Sequence, residues 1–357
     1  MKKLKYSRLK IFHYPEKLNS IPLEENEILP PLQIRIKPTN ICSHHCWYCA
    51  YRADNLQLGK DMRIKDYIPK EKMMEILSDC EEMGVKSITF SGGGDPFNYK
   101  YFLDTVKKLA TTNIKFASLT HGALLEGEIA ELFKKHGSWI RISIDGWDDK
   151  SYSEYRGVKE GEWSRVIGNI ENFVKLEGKC EIGVVIVIDK KNYDKVYDMS
   201  KLFYRLGVSS VKMSPCIVSN EGYITNEYHK EIFDKVKEQI AKVKEDFEGE
   251  GFEIFDAYHK IEEKFKKDYD FCPYIQVCPV IGADMNLYAC HDKAYNLDNG
   301  IIASLKEKSL KEVWFSNKEQ FFKINPCVDC NHHCAVNGAN KMIVEYLSID
   351  KDHLEFV

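Results

Sequence analysis

Cys42-Ser43-His44-His45-Cys46-Trp47-Tyr48-Cys49 sets three cysteines at x3 and x2 spacing directly after the apolar-alternating run 32–36. Three thiolates are one short of a closed site. A [4Fe–4S] cubane ordinarily takes four cysteine ligands, so a three-cysteine loop leaves one iron open to a cofactor or a substrate. Zinc is the competing chemistry, with His44 or His45 as the fourth ligand, because zinc sites also mix Cys and His at short spacing.

The rest of the chain bounds the setting. At 357 residues and 44% hydrophobic content there is material for a large domain and a smaller one. A net charge of −4 gives no electrostatic case for nucleic acid or an anionic membrane as a partner. Residues 1–14 are basic but lack the apolar stretch of a signal peptide. The longest apolar run, 182–188, has strand length and is too short to span a bilayer. Twelve cysteines without an export signal therefore suggest a cytoplasmic protein that uses them as ligands rather than in disulfides.

Periodicity predicts a polar lead-in over 1–31, then alternating strands and helices. The expected strands are one ending near Lys37, then 85–90, 114–119, 139–144, 181–188 and 208–213. The expected helices are 70–83, 101–110, 128–136, 163–176, 193–206 and one long, charged helix over 227–247. Six strands, each followed by a helix, imply a parallel α/β sheet with right-handed crossovers, and a partial (βα)6 TIM-like barrel fits. The expected division is a core over 32–250 and a smaller region over 251–357. In such folds the chemistry sits at the carboxyl ends of the strands.

Residues with chemical capacity fall at those ends. After the second strand, Gly92, Gly93 and Gly94 precede Asp95-Pro96, and successive glycines let main chain approach a polar ligand. Ser143 and Asp145 share one face of the fourth strand and can reach one ligand. Thr120-His121-Gly122 ends the third strand, and Cys216 follows the sixth. Beyond residue 270 come Cys272, Cys278, Cys290, Cys327, Cys330 and Cys334, half of the chain's cysteines. That density is a ligand signature, for an iron–sulfur cluster or for structural zinc.

The triad, its Tyr48 and its place after the first strand resemble the radical S-adenosylmethionine (SAM) superfamily. The resemblance implies that Cys42, Cys46 and Cys49 hold a [4Fe–4S] cluster whose open iron binds SAM, with Tyr48 near the cluster and the adenine. It implies reductive cleavage of SAM to methionine and a 5′-deoxyadenosyl radical that takes a hydrogen atom from substrate. Gly92-Gly93-Gly94-Asp95-Pro96 resembles the family's Gly-Gly-Glu-Pro segment, which holds the SAM amino group, with Asp in place of Glu. His121 stands at the Asn of a Thr-Asn-Gly turn. Ser143, Asp145 and Arg156 match residues that contact SAM ribose or carboxylate; the plainer reading is a turn-capping Asp145 and a solvated Arg156. Cys216 stands where some radical epimerases keep a hydrogen-donating thiol, or is a buried packing residue like Cys80 and Cys180.

The C-terminal cysteines, with a hairpin over 286–290 and a helix over 310–322, resemble the auxiliary-cluster domains called SPASM and twitch. The resemblance implies one auxiliary [4Fe–4S] cluster on Cys272, Cys290, Cys330 and Cys334, with Cys278 and Cys327 as alternates. His332 and His333 are candidates to donate to cluster sulfur. A flavodoxin- or ferredoxin-type protein is the expected reductant. The expected substrate is a small molecule such as a sugar, nucleotide sugar or aminocyclitol, undergoing dehydrogenation, deamination or epimerisation. A peptide or protein maturase and a non-catalytic Fe–S or zinc sensor are the alternatives. Asp145, His121, His291 and Asp292 are the candidate general bases.

Overall fold

The computed structural model describes residues 7–23, 27–53, 56, 59–261 and 264–355; residues 1–6 and 24–26 of the lead-in fall outside them. Ten strands form one sheet in the order β10-β9-β8-β1-β2-β3-β4-β5-β6-β7. The expected six are β1 Gln33–Ile36, β2 Ser87–Phe90, β3 Lys115–Thr120, β4 Trp139–Ile144, β5 Glu181–Ile188 and β6 Ser210–Pro215. A seventh parallel strand, β7 Glu253–Asp256, follows on β6. At the other side β8 Val280–Ile281 pairs in parallel with β1 and continues antiparallel into β9 Asn286–Tyr288 and β10 Ile301–Ser304. The sheet does not close, so the architecture is a partial barrel.

Each strand of the core has two unlike faces. Ile34, Ile36, Ile88, Phe90, Ile140, Ile142, Ile144, Ile182, Val184 and Ile186 are all buried on one of them. Their alternate neighbours, Arg35, Lys37, Thr89, Ser91, Arg141, Ser143, Lys212 and Ser214, share the other through the register pairs Arg35↔Thr89, Thr89↔Ala117, Leu119↔Arg141, Ser143↔Val185 and Val185↔Lys212. The crossover helices cover the apolar face and leave the polar one as the inner face of the partial barrel.

Those helices follow α1 Pro15–Asn19 of the lead-in: α2 Lys70–Met83, α3 Phe102–Ala110, α4 Gly127–His136, α5 Asp149–Arg156, α6 Glu162–Lys175 and α7 Val196–Arg205. Met73, Ile76, Leu77, Cys80 and Met83 form the buried stripe of α2 at helical spacing. Helix α5 escapes periodicity because it is short and polar; its start is a capping box, with Asp148 accepting from Ser151 N at 2.7 Å and Ser151 Oγ accepting from Asp148 N at 3.0 Å. Phe90, Phe97, Phe102, Phe116 and Phe133 build an aromatic cluster with neighbouring ring centroids 4.9 to 5.9 Å apart. The expected long helix over 227–247 is instead two, α8 Gly222–Lys230 and α9 Phe233–Phe247. Among the described residues no helix is long and apolar enough to cross a membrane.

After α9 come α10 Tyr274–Val277, α11 Leu310–Trp314, α12 Pro326–Asp329 and α13 Asn337–Leu347. The expected helix over 310–322 is α11 followed by a 3-10 turn Lys318–Phe322. The lead-in, which shows no periodicity in sequence, packs Ile11, Leu18 and Ile21 against Val277, Cys278 and Ile343. Fully buried Trp314 secures the same region: its Nε1 donates to Leu29 O at 3.1 Å and its ring packs on Phe321 with centroids 4.7 Å apart. Trp314→Ala removes both contacts and leaves a cavity, so it is expected to cost about 3–5 kcal/mol, read as a lowered urea midpoint; an unchanged midpoint would contradict this account of the joint.

Candidate functional site

The loop after β1 carries the triad and is fixed from two sides. On one side, His45 N donates to Arg156 O at 2.7 Å and Trp47 N to Tyr155 O at 3.4 Å, at the end of α5. That helix ends on Gly157 at φ 58°, and a Cβ there would stand 3.0 Å from His45 O, so a side chain would push on the loop. On the other, Gly94 N donates to Thr39 O and Asp95 N to Ile41 O, at 3.2 and 3.0 Å. A Cβ on Gly94 would lie 2.1 Å from Ile41 O; the glycine segment and the start of the triad loop fit only backbone against backbone.

Arg156 joins the triad to the end of β4. Its Nε donates to Asp145 Oδ1 at 2.9 Å, its Nη2 to Ser143 O at 2.7 Å, and its Nη1 to Cys46 Sγ at 3.5 Å. Tyr48 donates its hydroxyl to Asp145 Oδ2. Tyr48, Ser143, Asp145 and Arg156 are thus brought together at the triad, and Arg156, only 4% exposed, is not solvated as its plainer reading expects. Burial pushes the Cys42 thiol up to about 12, with Asp95 adding to the effect. Such a thiol is protonated until a cation takes the place of the proton.

Asp95 turns inward. Its carboxylate accepts from Phe97 N at 2.9 Å, from Thr120 Oγ1 at 2.9 and 3.1 Å, and from His121 N at 2.8 Å, bracing the β2 end against the β3 end. Burial nonetheless raises it to about 6. His121 stacks on His44 with centroids 3.8 Å apart, accepts from Ala123 N at its Nδ1 and places Nε2 3.1 Å from Ser43 Oγ. His44 Nε2 stands 3.2 Å from Glu162 Oε1, and His45 Nδ1 3.3 Å from Arg52 Nη1. The two histidines that would complete a zinc site thus each have a ring nitrogen engaged outside the triad.

Four of the six C-terminal cysteines influence one another electrostatically, while the one tight group of ligand atoms among the described residues is Cys290, Asp292 and His332. Cys272, Cys330 and Cys334 each act electrostatically on Cys290, whose thiol burial raises well above its ordinary range. Asn340 Nδ2 donates to Cys272 Sγ at 3.2 Å. Cys278 lies instead among the apolar side chains under the lead-in. Cys327 is exposed, its thiol facing Tyr269 O at 3.4 Å and Lys267 O at 3.7 Å. Asp292 and His332 offer ligand atoms within 4.8 Å of each other and of Cys290. Burial lifts the Asp292 carboxyl to about 6 and lowers His332 to about 3.

Two residues that motif spacing does not reveal join these groups. Lys37, fully buried at the end of β1, donates to the Tyr51 hydroxyl and approaches Gly92 O at 3.4 Å. Tyr51, two residues after Cys49, donates to His291 O at 3.1 Å, beside Cys290. The polar row at the barrel mouth continues to Asp189, buried with Oδ2 unpaired among the described residues, and to Cys216, whose carbonyl accepts from His229 Nε2 at 2.8 Å.

Comparison with known proteins accords with this geometry. Residues 36–203 match the radical SAM superfamily. A "probable GTP 3′,8-cyclase" of Methanocaldococcus jannaschii is 29% identical over 142 residues, 40% of this chain and 45% of that protein. One of Sulfurisphaera tokodaii is 23% identical over 212 residues, 59% and 62% of the two chains. An "uncharacterized protein" of Archaeoglobus fulgidus is 28% identical over 158 residues, 44% and 35%. The chain thus spans between about one third and two thirds of the length of these curated relatives. Among solved structures, Streptococcus suis SuiB bound to its precursor peptide SuiA superposes with a TM-score of 0.60 at 17% identity, over 88% of this chain and 71% of that one. Native anSMEcpe with bound AdoMet does so with a TM-score of 0.58 at 17% identity, over 88% and 96%. The matched segment, just under half of the chain, runs through the strand ends from Lys37 to Asp189 and is a radical SAM domain, of a superfamily that works through a [4Fe–4S] cluster and SAM.

Proposed function

We propose that this radical SAM enzyme holds two [4Fe–4S] clusters, one on Cys42, Cys46 and Cys49 with SAM at its open iron, and an auxiliary one on Cys272, Cys290, Cys330 and Cys334 within residues 251–357. The observation that carries the second assignment is the electrostatic influence of Cys272, Cys330 and Cys334 on Cys290, which Cys278, among apolar side chains, and exposed Cys327 do not share. When bound, the first cluster and SAM supply the electron and the 5′-deoxyadenosyl radical that takes a hydrogen atom from substrate. A flavodoxin- or ferredoxin-type protein supplies the electron in the cell.

The chain's own residues divide the remaining work. The main chain of Gly92, Gly93 and Gly94, rather than the inward-turned Asp95 carboxylate, meets the SAM amino group. Arg156, held by Asp145, faces the SAM carboxylate or ribose, and Tyr48 is oriented by the same carboxylate. Asp145 and both ring nitrogens of His121 are committed to protein partners; Asp292, His291 and Cys216 remain as groups to move a proton or hydrogen.

The substrate is a small polar molecule, with sugars, nucleotide sugars and aminocyclitols the first classes to test. The polar inner face and relatives whose printed names concern GTP support a small molecule. A peptide is the second reading, because SuiB was solved with a precursor peptide on the same fold.

Anaerobic reconstitution followed by a 5′-deoxyadenosine assay with SAM and dithionite tests the radical reading. The wild type is expected to form 5′-deoxyadenosine, and Ala at Cys42, Cys46 or Cys49 to abolish it. Cys290→Ala or Cys330→Ala is expected to keep uncoupled cleavage but lose product; full product from Cys290→Ala would sink the auxiliary role. Gly94→Ala, by pushing on Ile41 O, is expected to weaken SAM binding at least tenfold, about 1.4 kcal/mol, in equilibrium dialysis; wild-type affinity would contradict the backbone fit.

A further inference from the structure

The inner face carries more positive charge, buried at Lys37 and partly buried at Arg35, Arg141 and Lys212, than the cysteine groups account for. Lys37 and Lys267 are among the cations beside thiols: Cys290 and Cys49 act on Lys37, and Cys334, Cys330 and Cys290 on Lys267, with Asp292 near both. Lys212 differs. It sits mid-strand on β6, between Val185 of β5 and Phe255 of β7, on the face that register assigns to Arg35, Arg141 and Ser143. The groups that act on it are Arg141, Lys264 and Arg35, all cationic, and burial followed by those charges pushes it down to about 8. Among the described residues its ammonium makes no hydrogen bond or ion pair, and the side chain is partly buried. The acids on the same face stand elsewhere: Glu181 and Glu253 at the N-terminal ends of β5 and β7, Asp145 and Asp189 at the C-terminal ends of β4 and β5, and Asp292 facing Arg35 and Lys37.

A partly buried ammonium with three donors, influenced chiefly by other cations, is stabilised by an anion that brings acceptors to it. Arg35 offers a planar fork on the same face, the geometry that suits phosphate and carboxylate oxygens. We propose that Lys212, with Arg35, binds an anionic group of the substrate, a phosphate or a carboxylate, below the strand ends where SAM is held. The proposal rests on the radical SAM reading for its location and narrows the small polar substrate to an anionic one. The barrel floor anchors the substrate's charge and presents its other end to the mouth.

Pyrophosphate and citrate serve as probes, titrated calorimetrically into the anaerobically reconstituted chain, into Lys212→Gln, and into Lys179→Gln as an exposed control. One probe is expected to bind the wild type and Lys179→Gln alike and Lys212→Gln at least tenfold more weakly. A preference for pyrophosphate assigns a phosphate, and a preference for citrate a carboxylate. In the wild type alone, the same probe is expected to slow acetylation of Lys212 by acetic anhydride, followed by peptide mass spectrometry. Equal affinity in wild type and Lys212→Gln, or no protection of Lys212 by either probe, overturns the proposal. Wild-type 5′-deoxyadenosine formation is measured in parallel; its absence would remove the radical reading while leaving the anion comparison intact.

Discussion

Arg156 is where the separate parts of the candidate site meet. Its guanidinium reaches Asp145, Ser143 and the Cys46 thiol, while its backbone carbonyl receives His45 N from inside the triad loop. The pair it forms with Asp145 is buried, and a buried pair that loses one member leaves an uncompensated charge, typically at a cost of about 3–5 kcal/mol. The end of β4, the start of the next crossover and the three cysteines therefore hold position together. Asp95 does similar work between β2 and β3 with neutral donors, and both carboxylates serve geometry first.

The second organising constraint is the period of two along each strand. One face is Ile, Val and Phe and packs under helices; the other carries Arg, Lys, Ser and Thr among Ala117, Leu119 and Val185 and faces inward. A barrel filled with branched apolar side chains is a packed core, whereas this inner face is suited to a polar guest. The hairpin β9–β10 and strand β8 extend the same sheet past β1, which carries Cys290 toward the triad loop and lets Tyr51 touch His291. Sheet continuity thus places the two cysteine groups on either side of Lys37 and Tyr51.

Much of this is legible in the sequence because the informative signals are local. Six strands show themselves by alternation, and the triad by spacing. Helix α5 and strand β7 do not, the first being polar and capped rather than periodic, the second a short run with an acidic residue at each end. The helix expected over 227–247 breaks near Glu231–Ile232, where nothing in the charge pattern marks a stop. The choice among six C-terminal cysteines needs tertiary structure: Cys278 is removed by the lead-in's apolar contacts, which spacing cannot reveal. Asp95 misleads because its short side chain reaches its own neighbours rather than a ligand, and Lys212 is silent because its company is set by register across strands.

The central claim is that two cysteine sets hold two separate clusters. The most direct test is the iron and sulfide content of the anaerobically reconstituted triple variant Cys42→Ala, Cys46→Ala, Cys49→Ala beside the wild type. The account predicts about eight irons in the wild type and about four, with a [4Fe–4S] signal on reduction, in the triple variant. A triple variant that holds no cluster, or a wild type that holds only about four irons, would contradict it.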